Sequence, residues 1–378
     1  MTSEAGRTPP ESALPEPLPP NPVPLLPPRL SLGVIAWMRK NLFSSWFNSL
    51  LTVASAWVAW EAASTFVRWA LLEAAFGEGP ESCKGIAGAC WSFIREMWPL
   101  FLVGVYPASE RWRPALAALI VVALGAVTLN RRARARRGFW WLWLAGLAAA
   151  FLLIRGSPWL GLSMPETTRW GGLMLTLILT VAGIAVAFPF SIVLALGRRS
   201  RMPVIRAICV AYIELIRGVP LITILFMASF MLPLFFPAGL NFDKVLRAQV
   251  GIILFSAAYL AEVVRGGLQG VGRGQIEAAG ALGLSYWQTM GLIVMPQALR
   301  IVIPPLTGTF IALLKDTSLV AIVGLFDLLG MSQQAVANPR WLGKLIEAYA
   351  FVALIYFCLC YGMSHFSRVL ERRFKAGQ

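Results

Sequence analysis

A few charged and hydroxyl-bearing side chains interrupt long apolar runs, and those are the positions where chemistry is available. Glu214 and Arg217 lie three residues apart in ELIRGVP, Glu262 and Arg265 repeat that spacing in AYLAEVVRGG, and Lys315-Asp316-Thr317-Ser318 closes a further run. Residues three apart share one face of a helix, so each acid can pair with its own arginine. An ionisable group at membrane depth costs about 2.5–3.5 kcal/mol on insertion scales, so it faces a bundle interior or a water-filled path. Glu214, Arg217, Glu262, Asp316, Thr317 and Ser318 are therefore candidates for a substrate path or a polar core. Asp316, Thr317 and Ser318 offer oxygens suited to an ammonium group. The plainer readings are two structural ion pairs and a helix-end cap, with Glu262–Arg265 bracing the loop that follows.

That loop, 266–296, contains a polar, small-residue island, EAAGALGLSYWQTMGLIVMP over 277–296. Glu277 is expected at the start of a short helix, where the dipole favours a negative charge. Ala278 and Ala279 have almost no side chain, so another protein's helix can approach the backbone there. Gly283 can take the left-handed conformation that ends a helix. Ser285 and Gln288 have the spacing of a capping box for a second helix, and Pro296 is expected to end the unit. The expectation is a helix–turn–helix on a membrane surface; the plainer one is an ordinary loop.

Several chemistries are excluded. No Gly-x-x-x-x-Gly-Lys-Ser/Thr phosphate loop occurs. Gly270-Val-Gly272-Arg-Gly274 lacks a preceding strand and reads as flexible coil. One His, His365, allows neither a Ser/His/Asp set nor zinc spacing with the five Cys. The chain alone reads as no enzyme, with no catalytic, cofactor-binding or metal residues; Cys358 and Cys360 read as packing residues.

The elements that must position these residues are membrane helices. The 378 residues are 58% hydrophobic and 13% charged, against about 25% charged in soluble proteins, and the mean hydropathy is +0.69. Eight apolar runs are expected to span as helices: 45–72, 114–129, 139–154, 171–196, 204–236, 248–264, 298–314 and 346–366. Each is continuous, unlike the alternating strands of an outer-membrane barrel. The net charge of +15 fits topology better than nucleic acid, because Lys and Arg gather on the cytoplasmic side. With both termini inside, the basic clusters at 39–40, 131–137, 198–201 and 368–375 all fall inside. Pro189 suggests a kink in the fourth run, and Glu61 and Arg68 in the first suggest an internal ion pair or a protein-facing seam.

Residues 1–30 are rich in Pro and Glu and read as a disordered cytoplasmic tail. Residues 31–160 form a three-span extension, and 161–378 a second part with its own polar punctuation. The 77–106 loop falls outside, where Cys83 and Cys90 can close a disulfide in an oxidising compartment or remain two half-buried thiols.

The 277–296 island resembles the EAA loop of ABC importer permeases. Glu277, Ala278, Ala279, Gly283, Ile293 and Pro296 match its pattern, with Met295 in place of a Leu. ELIRGVP, AYLAEVVRGG, the island and KDTSL together resemble the polar amino acid uptake branch of that family over roughly 165–375. The three-span front with its two-Cys outer loop, and MPETTRWGGL, resemble the AapM/BztC-type permeases of general L-amino acid importers. The resemblance implies an all-α membrane protein of the type I importer fold, with three N-terminal helices before a five-helix core in a bacterial inner membrane. It implies L-amino acid translocation by alternating access, with the six loop residues coupling to a cytoplasmic ABC ATPase dimer that uses the ATP. A second permease subunit, expected as a different chain, a periplasmic amino acid binding protein and membrane lipid are the other implied partners. Two rivals stay open: an ion-coupled secondary amino acid transporter, although no inverted repeat of the five-span pattern is visible, and a non-transporting membrane scaffold.

Overall fold

The computed structural model describes residues 33–134, 138–237 and 242–375. The Pro-rich tail expected over 1–30 and part of the 131–137 basic cluster lie outside them. The chain divides by packing into two units, one ending at Leu72 and the other beginning at Glu73. Among the described residues there is no sheet, only two isolated bridges, Ala75 with Cys90 and Gly172 with Asp327.

The first unit holds α1 (Val34–Asn41), which carries Arg39 and Lys40 in its last turn, and α2 (Trp46–Val67). Ser45 caps α2 through the Asn48 amide. A wide turn, Arg68–Leu72, continues it. Among the described residues no ion pair joins Glu61 to Arg68, so of the two readings the internal pair is absent.

The second unit contains α3 (Trp91–Val103), α4 (Trp112–Thr128), α5 (Phe139–Arg155), α6 (Gly172–Arg198), α7 (Pro203–Arg217) and α8 (Leu221–Phe226). It continues with α9 (Lys244–Gly270), α10 (Arg273–Ala281), α11 (Met295–Ile301), α12 (Ile303–Asp316), α13 (Leu328–Val336) and α14 (Leu345–Lys375). All eight expected runs fall on helices. Among the described residues, six helical stretches have the length and apolarity to cross a membrane alone, and α7 with the segment after it makes a seventh when taken as one broken span. The 17 residues of α5 make a shorter apolar helix.

Two expected spans are not single helices. Residues 204–236 turn through 105° between α7 and the stretch from Leu221. The cause is Gly218-Val219-Pro220: proline removes a donor and disfavours the helical region at the residue before it. Residues 298–314 break at Val302, because Pro304 and Pro305 suit only the first turn of α12. α12 then tightens into a 3-10 stretch, Thr317–Val323, closed by Gly324 at φ +74°.

The core of the second unit is built around α6 and α9, each 27 residues and so about 40 Å long. α6 runs continuously through Pro189. Small residues, Gly183 and Ala187 on α6 and Ala257, Ala258 and Ala261 on α9, let neighbouring backbones approach, as membrane helix packing requires. One apolar cluster joins Leu175, Leu179, Leu225, Ile252 and Val320. A second, nearer residues 266–296, joins Leu194, Ile213, Leu260, Leu268, Val294 and Ala298.

A third cluster seats residues from the expected extension on the second half of the chain. Cys83 and Cys90 are joined by a disulfide with Cα atoms 5.6 Å apart. The Cys90 amide donates to buried Glu347 on α14 at 3.0 Å. Phe93 packs 5.6 Å from Trp341, and Phe101 5.3 Å from Phe351. The loop and α3 thus form a cap over α13 and α14.

Candidate functional site

Two residues, Val271 and Gly272, separate α9 from α10, so the glycine-rich stretch is a tight corner rather than coil. α10 begins at Arg273. Glu277 therefore stands in the second turn rather than at the start, beyond the reach of the strongest dipole effect. It is exposed, as is Ala278.

The helix ends in a Schellman motif. Gly283 has φ +71°, the Leu284 amide donates to the Ala279 carbonyl at 3.1 Å, and the Gly283 amide to Gly280 at 2.9 Å. Both bonds satisfy carbonyls the helix leaves open. Ser285 then starts the next turn, Tyr286–Gln288, with a complete capping box: its amide donates to Gln288 Oε1 at 2.9 Å and its Oγ accepts from the Gln288 amide at 3.4 Å. A wide turn, Thr289–Val294, runs directly into α11. Pro296 lies in the first turn of α11. It therefore does not end the unit, which is continuous with the helix leading to α12. Ile293 is half-buried in the wide turn.

Ala279 does not present its small face to solvent. It is 1% exposed, and α10 packs against the Thr289–Val294 turn. Its size suits the hairpin's own interior. The exposed apolar surface comes from residues the motif does not include: Leu282 at 78%, Trp287 at 72% and Leu292 at 70% exposed, with Tyr286 edge-on to Trp287 at 5.3 Å. A cluster of large apolar groups on a polar hairpin marks an interaction site. The sequence signal was Tyr286-Trp287 directly after the Ser285 cap, where first-turn side chains splay outward.

At the root of the hairpin the charged residues converge. Glu262 on α9 accepts from Arg198 Nη1 at 2.8 Å and from Arg265 Nη2 at 2.7 Å, with Arg217 Nη1 at 3.7 Å. Arg198 Nη2 also holds Glu214 at 2.9 Å. The expected Glu262–Arg265 pair is present. Glu214 and Arg217, expected as a pair, instead bind Arg198 and Glu262 across helices. Arg217 also lies over the Tyr259 ring at 5.5 Å, and Arg199 donates to the Leu268 carbonyl at 3.2 Å. Arg198, read in the sequence only as part of a basic cluster, is the hub joining α6, α7 and α9.

Asp316, Thr317 and Ser318 lie apart from this network, with no hydrogen bond or ion pair to it among the described residues. The Thr317 hydroxyl is buried and donates to the Leu314 carbonyl at 2.8 Å; that of Ser318 donates to Lys315 at 2.8 Å. Both serve the switch from α12 to the 3-10 stretch. Among the described residues no group of three or more His, Cys, Asp or Glu is placed to hold a metal.

Comparison with known proteins identifies the scaffold. The inner membrane amino-acid ABC transporter permease protein YhdY of Escherichia coli (strain K12) is 49% identical over 360 residues, covering 92% of this chain and 95% of that one. The glutamate/glutamine/aspartate/asparagine transport system permease protein BztC of Rhodobacter capsulatus is 39% identical, covering 95% of this chain and 97% of that one. A chain from the crystal structure of an amino acid ABC transporter with histidines matches at 31% identity and a TM-score of 0.48, covering 53% of this chain and 92% of that one. The family described as binding-protein-dependent transport system inner membrane component matches residues 187–376, the stretch that holds α9, the hairpin and the Arg198–Glu262 network's acids. The chain belongs to this family of binding-protein-dependent transport system inner membrane components.

Proposed function

We propose that this chain is a permease subunit that moves L-amino acids through an inner membrane by alternating access, driven by ATP hydrolysed on a separate cytoplasmic ABC ATPase dimer. The observation that carries the coupling role is the hairpin of α10 and the Tyr286–Gln288 turn. It is capped at both bends, exposes Leu282, Tyr286, Trp287 and Leu292, and is tied to α6 and α7 through Glu262 at its root. Such a unit can pass a push from a docked ATPase to several helices at once. Glu277, Ala278, Gly283, Ile293 and Pro296 shape it, and Ala279 closes its interior.

Amino acids as cargo rest on YhdY and BztC, whose names give amino-acid transport. A second permease, expected as a different chain, completes the path, and a periplasmic binding protein delivers the cargo. Both termini are cytoplasmic in this reading, and the Cys83–Cys90 cap faces the oxidising side. Residues 161–378 supply the transport core and 31–160 the extension. Glu214, Arg217 and Glu262 brace the coupling end, whereas Asp316, Thr317 and Ser318 remain the candidates along the path.

The test is uptake. Proteoliposomes containing this chain with its ATPase and second permease, given loaded binding protein outside and ATP at the ATPase, take up labelled amino acid. Equal uptake without the ATPase, driven by an ion gradient, refutes the reading.

A further inference from the structure

A groove of about 220 Å3 opens between α3, the start of α4 and the start of α6. Trp98, Leu102, Ala118, Leu173 and Leu177 line it, and Arg111 is the single charged residue in its wall. Arg111 directly precedes α4 and is exposed. Its neighbour Arg113 is buried, bound to Glu110 at 3.1 Å and to the Ser163 carbonyl at 2.9 Å. Arg111 has no ion pair or hydrogen bond among the described residues.

The setting decides what can fill such a groove. Two membrane-crossing stretches, Ala108–Thr128 and Gly172–Arg198, begin beside it, so it lies at a boundary of the bilayer. Trp98 in its wall and Trp112, next to Arg111 in sequence, are both exposed, as indoles in interfacial belts are. Ordered water needs two to four polar partners, which this wall does not offer. An acyl chain is thin enough, and a guanidinium fork matches a phosphate.

We propose that this groove holds one phospholipid, its phosphate on Arg111 and one acyl chain between α3, α4 and α6. The lipid joins the extension's helices to the first helix of the transport core.

The test uses the full chain, expressed with its partner subunits and kept in bacterial membranes, with phosphatidylglycerol carrying a photoactivatable acyl chain. Crosslinks are expected at Leu102, Ala118 and Leu173. Arg111→Gln lowers their yield about tenfold, the equivalent of one charge-assisted hydrogen bond. Ala118→Trp, which fills the groove, abolishes them, and Arg169→Gln, outside the groove, leaves them unchanged. Retention of the Cys83–Cys90 disulfide reports that each variant has folded. Should Ala118→Trp fail to assemble, the wild-type crosslink map and a diacylglycerol probe lacking phosphate still decide. Crosslinks spread evenly over lipid-facing helices such as α5 overturn the site. Equal labelling by the diacylglycerol probe, or an unchanged yield in Arg111→Gln, overturns the phosphate contact and with it the proposal.

Discussion

Arg198 at the end of α6 and Glu262 on α9 are joined at 2.8 Å, 64 residues apart in sequence, and each holds a second partner on another helix or turn. Glu262 faces three guanidinium groups with a side chain only 16% exposed. Glu262→Gln leaves Arg198, Arg217 and Arg265 around a neutral amide. A fully buried pair broken on one side loses about 3–5 kcal/mol; partial exposure of the arginines reduces this to about 1–3 kcal/mol. Glu214 is more exposed and, among the described residues, pairs only with Arg198, so Glu214→Gln costs less. Thermal unfolding of the detergent-solubilised chain checks the order: equal midpoints for the two variants contradict it.

Gly283 has open space where a Cβ would stand, so its requirement is conformational. Gly283→Ala costs about 1–2 kcal/mol in the left-handed region, and Gly283→Asn costs less. Ser285→Ala removes one half of the capping box and costs about 1 kcal/mol. Hydrogen exchange over 273–288 reports the loosening, with faster exchange expected there and unchanged protection in α6.

Trp287 and Ala279 separate docking from folding. Trp287→Ala removes an exposed side chain, so the unfolding midpoint stays near wild type while ATPase co-purification falls. Ala279→Trp forces α10 off the Thr289–Val294 turn, so hairpin order and coupling fail together. A Trp287→Ala variant that retains full ATPase association contradicts the docking assignment.

The Cys83–Cys90 bond closes a short loop and stabilises the cap by about 2–3 kcal/mol in the chain-entropy picture. Cys90→Ser also loosens the packing of Phe93 on Trp341. Limited proteolysis of 73–107 should quicken in the variant and in reduced wild type. A membrane-impermeant maleimide added to spheroplasts should label Glu78→Cys, at an exposed position of the same loop; labelling only after lysis contradicts the proposed topology.

Asp327 caps α13 through the Gly330 amide at 2.9 Å and accepts from the Tyr356 hydroxyl at 3.0 Å. Burial, only partly offset by these bonds, holds its carboxyl above the usual aspartate range. A raised folded pKa means that the contribution to stability is present below the ordinary range, about 3.9, and is lost as pH rises through the raised value. Asp327→Asn keeps an acceptor for Gly330 and removes that dependence. The unfolding midpoint of wild type relative to that of the variant should fall as pH is taken from acid to neutral.

The helices were legible because an apolar run of about 20 residues has few alternatives in a membrane. The hairpin's bends were legible because Gly283, Ser285 and Gln288 act on their own backbone. Partners across helices were not. Spacing places Arg217 one turn from Glu214, but it carries no information on which side chain of α6 or α9 lies opposite, and Arg198 took the acid that Arg217 was expected to hold. Ala279 shows the same limit: a small residue fits a partner's approach or a hairpin's interior, and only the packed structure distinguishes them. Gly218-Val219-Pro220 was visible as a breaker, yet its 105° bend depends on where α8 packs.

The most direct measurement is ATPase activity of the reconstituted complex of this chain with its ATPase and second permease, with and without amino-acid-loaded binding protein. Wild type is compared with a Glu277→Ala/Gly283→Ala variant. The account predicts stimulation in wild type and its loss in the variant while the permease pair still assembles. Full stimulation in the variant, or transport by this chain with no ATPase bound, would contradict it.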